Sequence, residues 1–272
     1  MSKKRILFVT QEMNPYTNLT RISEVVHNLP QMANEKGFEV RILMPKFGTI
    51  NERRHRLHEV VRLSGMNIIV DDEDYPLIIK VASLPGARLQ VYFLDNEEFF
   101  KRKKIFRDAE EELFEDNMER MVFFCKGILE TVKKFGWPPD IIHCHGWMTG
   151  LIPAYLKTVY KDDPVFQNAT IVNSIYEESE TSNFTDKFLE IAAINDLESE
   201  DLSDYRSGDK IDINKGSFSF SDAVIIGSES IDDSVREWTD DSSEQKIIPF
   251  EEDISELLTQ HYEFYNSITE ES

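Results

Sequence analysis

Only two cysteines occur in the 272 residues, Cys125 and Cys144, and their spacing makes no C-x-x-C motif. That scarcity excludes a disulfide scaffold and argues against a zinc site. Long apolar runs are missing as well. Ile6 to Val9, behind the basic start Met1-Ser2-Lys3-Lys4-Arg5, is too short for the core of a signal peptide, and no stretch reaches bilayer length. A cytoplasmic protein without membrane association is the expectation. Positive charge is the third shortage, with 30 Lys and Arg against 51 Asp and Glu and a formal net charge of −21. Residues 1–150 hold 22 basic and 22 acidic side chains, whereas residues 151–272 hold 8 and 29, so the excess resides in the second part. Nucleic acid is not expected as a partner, because a phosphate backbone needs a basic face. The run Lys101-Arg102-Lys103-Lys104 lies among Glu97, Glu98 and Glu110-Glu111-Glu112 and reads as a solvated loop.

What is present is a globular chain, 40% hydrophobic and 11% aromatic, enough for a real core. Arg5 to Thr10 reads as a strand, Ile22, Val25, Val26, Leu29 and Met32 recur at helical spacing, Gly37 closes that helix, and Phe38 to Met44 is a second strand. This is a βαβ unit, which imposes a parallel sheet. Val60 to Leu63, Met66 to Val70, Leu77 to Val81 and Leu89 to Leu94 read as short inserted hairpin strands. A long helix follows with Met118, Met121, Val122, Cys125, Ile128, Leu129 and Val132 as its buried stripe, the methionines being core.

The stretch from Pro138 to Lys157 organises the rest. Its apolar run ends in His143-Cys144-His145-Gly146-Trp147, and Leu151, Ile152, Tyr155 and Leu156 then recur at helical spacing, giving strand, turn and helix. In open α/β sheets ligands bind at that carboxyl end of the strands, so the loop from Gln11 to Asn18 and the turn from His143 to Trp147 should converge on one cleft. An imidazole and an indole there suit a polar, ring-shaped ligand such as a sugar, while partly buried packing residues would look the same in sequence. His143 and His145 are read as alternating to opposite faces of the strand, and no metal site is expected. Thr170 to Ile175 and Ser221 to Ile226 read as further strands, Ile231 to Trp238 and Ile254 to Tyr265 as helices, and Glu177 to Asp212 as an acidic, solvated excursion. Residues 1–240 are taken as one domain and 241–272 as an acidic tail with a helix, whose Leu257, Leu258 and Tyr262 would form a covering face.

Several blocks carry a family likeness. Ile6-Leu7-Phe8-Val9-Thr10-Gln11-Glu12 with Pro15-Tyr16, Val25-Val26 with Leu29-Pro30, Gly37-Phe38-Glu39-Val40-Arg41 and Met44-Pro45 resemble the start of the bacterial glycogen and starch synthases. Val91 to Asn96, Asp116-Asn117 with Glu119-Arg120, Phe123-Phe124, and His143 through Tyr155 are similar to later blocks of that family in the same order. The resemblance implies an α/β fold: a Rossmann-like parallel sheet with an inserted β-hairpin region, the N-terminal half of a two-domain GT-B glycosyltransferase. It further implies transfer of glucose from ADP-glucose, as donor substrate and with no other cofactor, to an α-1,4-glucan or maltooligosaccharide. On that likeness His145, Trp147 and Tyr176 would hold the acceptor, with Glu12 and Asn18 facing the donor.

The sequence also departs from the family. Where the family has Lys-Thr-Gly-Gly-Leu, this chain reads Asn18-Leu19-Thr20-Arg21-Ile22. Thr20 and Arg21 deny the backbone the close approach to a diphosphate that glycines allow, and Asn18 brings no charge. The family's His-Asp-Trp stands here as His145-Gly146-Trp147, and its Ile-His-Asn as Ile175-Tyr176-Glu177. The roughly 30 residues after Asp240 are too few for a second Rossmann-like domain, which needs on the order of 150 to 200. Three readings follow: a divergent glucan-binding domain without transfer, an active glucosyltransferase subunit completed by a second chain at the open domain edge or by self-association, or a remnant fold with an unrelated role.

Overall fold

Strand β1 (Arg5–Thr10) is buried along all but its first residue because it lies at the centre of a sheet covered on both faces. The structure, a computed structural model, describes residues 3–231, 233–241 and 245–270. With α1 (Ile22–Glu35) and β2 (Glu39–Pro45), β1 makes the expected βαβ unit. A short helix α2 (Glu52–His55) leads into the inserted region of β3 (His58–Glu59), β4 (Met66–Val70), β5 (Glu73–Ser83) and β6 (Gln90–Asp95). The stretch Val60 to Leu63, expected as a strand, is instead a turn, in which the Leu63 and Ser64 amides donate to the Val60 carbonyl at 2.8 and 3.1 Å. Only Leu63 of those four residues is buried, so alternation alone was too little to hold an extended run there.

After α3 (Glu97–Phe100), α4 (Asn117–Phe135) buries the whole predicted stripe, its methionines included. Then come β7 (Ile141–His145), a tight turn over Trp147–Thr149, α5 (Ile152–Lys157) and β8 (Thr170–Ile175). The acidic segment that follows is packed rather than a solvated excursion. It forms α6 (Lys187–Ala192) and a small hairpin, β9 (Arg206–Ser207) with β10 (Lys210–Ile211), and Phe188, Leu202 and Tyr205 anchor it in the core. The Tyr205 hydroxyl donates to the Gly150 carbonyl at 2.6 Å. Helix α7 (Ile213–Ser219), β11 (Ala223–Ile226), α8 (Asp233–Asp241), β12 (Lys246–Ile248) and α9 (Ile254–Glu270) complete the chain. The helix expected from Ile231 to Trp238 corresponds to α8, with residue 232 outside the described residues.

The main sheet runs β12-β11-β8-β7-β1-β2-β6-β5-β3, with β4 also paired to β5. From β12 to β6 every pairing is parallel, and β5 runs antiparallel to β6, β3 and β4. Sequence order reverses between β1 and β7, where Phe8 pairs with His143 and Thr10 with His145. A crevice opens at the carboxyl ends of strands at such a switch point.

His143 and His145 do not point to opposite faces. Residues two apart in a strand share a face, and these rings lie with centroids 3.9 Å apart. Helix α9 covers them and packs beside α1. Its buried side chains are Leu257, His261, Phe264, Tyr265 and Ile268, while Leu258 and Tyr262, two of the three expected to cover, are only partly buried. Burying Leu257, Phe264 and Ile268 contributes roughly 5 to 9 kcal/mol before side-chain entropy is subtracted. Among the described residues no helix is long and apolar enough to cross a membrane.

Candidate substrate cleft

The two loops expected to converge do so. The Gln11 amide donates to the His145 carbonyl at 3.3 Å, and the Met148 amide donates to Gln11 Oε1 at 3.3 Å, so the Gln11 side chain lies across the start of the turn. Gly146 has φ of +84°, and a Cβ there would collide with the Gln11 side chain. An aspartate at 146, the family's residue, would therefore be strained in backbone and blocked in space. In front of this junction is an open cavity of about 710 Å³. Its walls come from Gln11 and the 19–22 loop, from the 103–107 loop with Thr49 and Glu111, from the 176–180 segment after β8, and from Ser228 beyond β11.

Of the five residues singled out in sequence, Tyr176 lines this cavity. Its ring lies against Gly227, where any Cβ would overlap it, and its hydroxyl is 3.0 Å from His145 Nδ1. Burial pushes the Tyr176 hydroxyl well above its ordinary pKa. His145 lies behind that wall, fully buried, with Nε2 facing no partner, and burial holds its pKa well below the usual imidazole value. Trp147 is 3% exposed and packs edge-on against Phe106 and Phe184, at 5.0 and 5.9 Å between centroids. The indole thus supports the wall that Phe106 presents rather than offering a face to a sugar.

Glu12 is also buried, and its carboxylate closes the first loop. Oε2 accepts from the amides of Leu19 at 2.7 Å and Thr20 at 2.9 Å, and Oε1 accepts from the Thr20 hydroxyl at 2.5 Å. Burial raises the Glu12 pKa, opposed by the hydrogen bonds from Thr20 and Leu19. Asn18 is exposed, and its Oδ1 accepts from the Ser23 hydroxyl at 2.9 Å. Arg21, the one cation in that loop, turns aside: Nη2 donates to the carbonyls of Glu251 at 2.5 Å and Glu252 at 2.7 Å, and the guanidinium lies 4.7 Å from the centre of the Phe250 ring. A segment of backbone amides that would otherwise receive an anion is thus occupied by the protein's own carboxylate.

The opposite walls carry groups that sequence reasoning passed over. Lys103 and Lys104 are exposed as expected of a solvated loop, yet both line the cavity. Lys104 pairs with Glu111 at 2.8 Å and Arg107 with Glu180 at 3.0 Å. Burial pushes the Glu178 carboxyl up to about 8, against amide hydrogen bonds that favour its ionised form, with Glu180 adding to the rise. At neutral pH this carboxyl is therefore largely protonated, while its Oε1 accepts from the Glu180 amide. The signal available in sequence was position: Gln11 directly follows a strand, and Glu177 to Glu180 directly follow another.

Comparison with known proteins agrees with this architecture. A glycogen synthase from Chlorobium limicola is 38% identical over 212 residues, covering 77% of this chain and 42% of its own length. One from Chlorobium luteolum is 43% identical over 175 residues, covering 63% of this chain and 35% of its own. The chain thus spans less than half the length of these curated relatives. The structure is similar to the catalytic domain of Starch Synthase IV from Arabidopsis thaliana bound to ADP and acarbose, with a TM-score of 0.74 and 21% identity over 91% of this chain and 52% of that one. At that identity the likeness speaks for the fold, an N-terminal GT-B half. The starch synthase catalytic domain family matches residues 5–246, nearly the whole chain, and the protein belongs to that family.

Proposed function

We propose that this chain binds α-1,4-glucan in the cleft at the β1–β7 switch point and does not itself bind the sugar-nucleotide donor. The observation that carries the reading is the state of the first loop. Glu12 occupies the Leu19 and Thr20 amides, and Arg21 Nη2 is tied to Glu251 and Glu252 with its guanidinium against Phe250, so these donors are already engaged. The remaining charges of the cleft are largely paired with one another, as in Arg107–Glu180 and Lys104–Glu111. A wall of paired charges, a neutral carboxyl at Glu178 and the polar end of Gln11 suits a neutral ligand rich in hydroxyls. Tyr176 supplies the aromatic surface.

Calorimetric titration with maltoheptaose and, separately, with ADP-glucose tests this reading. Maltoheptaose should bind, ADP-glucose should give no heat, and Arg107→Gln should weaken the glucan about tenfold, the worth of one charged hydrogen bond. Saturable heat from ADP-glucose would overturn it. That outcome would favour a second reading, a glucosyltransferase subunit completed by another chain or by self-association. Family membership supports this alternative.

A further inference from the structure

At the opposite end of the sheet, where β2 and β6 begin and β5 ends, lies a second cavity of about 570 Å³. Lys3, Asn34, Arg41, Arg88 and Gln90 are among its lining residues, and Glu39 is the only acidic one. Positive charge collects here in a protein of formal net charge −21. The Arg41 guanidinium packs against two rings, 4.4 Å from the centre of Phe135 and 4.7 Å from that of Trp137. Arg5 and Arg62 add further positive charge around it.

Glu39 does not neutralise this group of cations alone, because it is already engaged. Arg5 Nε donates to its Oε2 at 3.3 Å and the Trp137 indole donates to its Oε1 at 2.6 Å. Arg41 Nη1 is meanwhile buried with no hydrogen-bond partner. The two rings offset part of the desolvation cost of that nitrogen, and the positive charge of Arg41 is left, among the described residues, without a carboxylate of its own. Arg41 as a whole is only partly buried and lines the cavity, and a guanidinium is the group that pairs bidentately with phosphate oxygens.

We infer that this cavity is an anion site that takes a phosphate monoester, with the phosphate at Arg41, Arg88 and Lys3 and the organic part against Asn34 and Gln90. A dianion matches three cations better than a single carboxylate does. The volume exceeds that of a bare ion, and the amides of Asn34 and Gln90 offer partners to hydroxyl groups. The inference is independent of the cleft, which opens at the other end of the strands.

Calorimetry at fixed ionic strength with mannose 6-phosphate, inorganic phosphate and mannose tests it. Mannose 6-phosphate should bind saturably, inorganic phosphate more weakly, and mannose not at all. Arg41→Gln should weaken the ester about tenfold or more, as expected for one charge-assisted hydrogen bond. Arg88→Gln, at an exposed side chain that leaves the ring stack intact, should weaken it as well. Equal affinity for inorganic phosphate would assign the site to the free ion and overturn the ester. Loss of binding in Lys103→Gln with both arginine variants unaffected would put the anion in the cleft, and absence of saturable binding by either anion would end the proposal.

Discussion

Three imidazoles meet where α9 packs on the sheet, two on β7 and one on the helix, and replacing the last gives a sharp test of how that helix is held. His143 and His145 are fully buried, and His261 nearly so, its ring 5.8 Å from that of His143. Their partners are neutral. His143 bridges the hydroxyls of Tyr265 at 2.6 Å and Ser174 at 2.8 Å, and His261 Nδ1 donates to the Leu257 carbonyl at 2.8 Å. Burial holds the His261 pKa at about 4, below the value of 6.5 expected when unfolded. A folded-state pKa depressed in this way means that the unfolded chain takes up the proton first. The His261 contribution is therefore complete above pH 6.5 and is lost progressively down to about pH 4.

At pH 5.5 the loss is about 1.4 kcal/mol for this one side chain. His261→Leu removes that term while keeping an apolar body on the helix face, and it gives up the bond to Leu257, worth about 1 kcal/mol. At pH 8 the parent should be the more stable by about that amount, and by pH 5.5 the variant should match or exceed it. The relative shift of about 1.4 kcal/mol corresponds to roughly 3 to 6 °C in midpoint for a chain of this size. Urea or thermal unfolding of both proteins at the two pH values reads it directly. Groups common to both, such as Glu178, cancel in the comparison. Parallel pH curves for the two proteins would refute the reasoning.

Glu178 has the opposite sign. Its folded pKa of about 8 lies above the ordinary carboxyl value of 4.5, so its burden on stability is greatest above pH 8 and is relieved as the pH falls from 8 towards 4.5. Glu178→Gln should remove about 2 to 3 kcal/mol of pH dependence between pH 8 and pH 5.5, measured by urea unfolding. Glu12→Ala should cost about 2 to 3 kcal/mol by leaving the Leu19 and Thr20 amides unpaired, and amide hydrogen exchange at those two positions should accelerate in the native state. Gly146→Asp, which restores the family's residue, should destabilise by about 1 to 2 kcal/mol from the left-handed backbone alone, with more from displacing Gln11. A midpoint that rises in that variant would show that the turn relaxes freely.

The sheet and its switch point were legible because they rest on periodicity: β1, β2, α4 and β7 are apolar runs or stripes whose spacing leaves one reading. The 177–212 segment was not, because its charge masks the buried face of a helix only six residues long, with Phe188, Leu189, Ile191 and Ala192, and scattered later anchors such as Leu202 and Tyr205. The location of the cleft was legible from the strand ends, but which side chains face it was not. Trp147 and His145 look like ligand groups in sequence, and only the packing of Phe106, Phe184 and Tyr176 around them shows that they lie behind the wall. Glu12 similarly needed the third dimension, since its partners are seven and eight residues further along the chain.

Gly227 has a consequence for how such a cleft changes over time. The Tyr176 ring reaches its place only because the next strand's loop offers bare backbone beneath it. A single methyl at that position would overlap the ring and displace it, reshaping the 710 Å³ space without replacing any residue that lines it. The shape of the pocket is therefore under the control of a residue outside its lining, and ligand preference can drift by substitution at 227 while every lining residue keeps its identity.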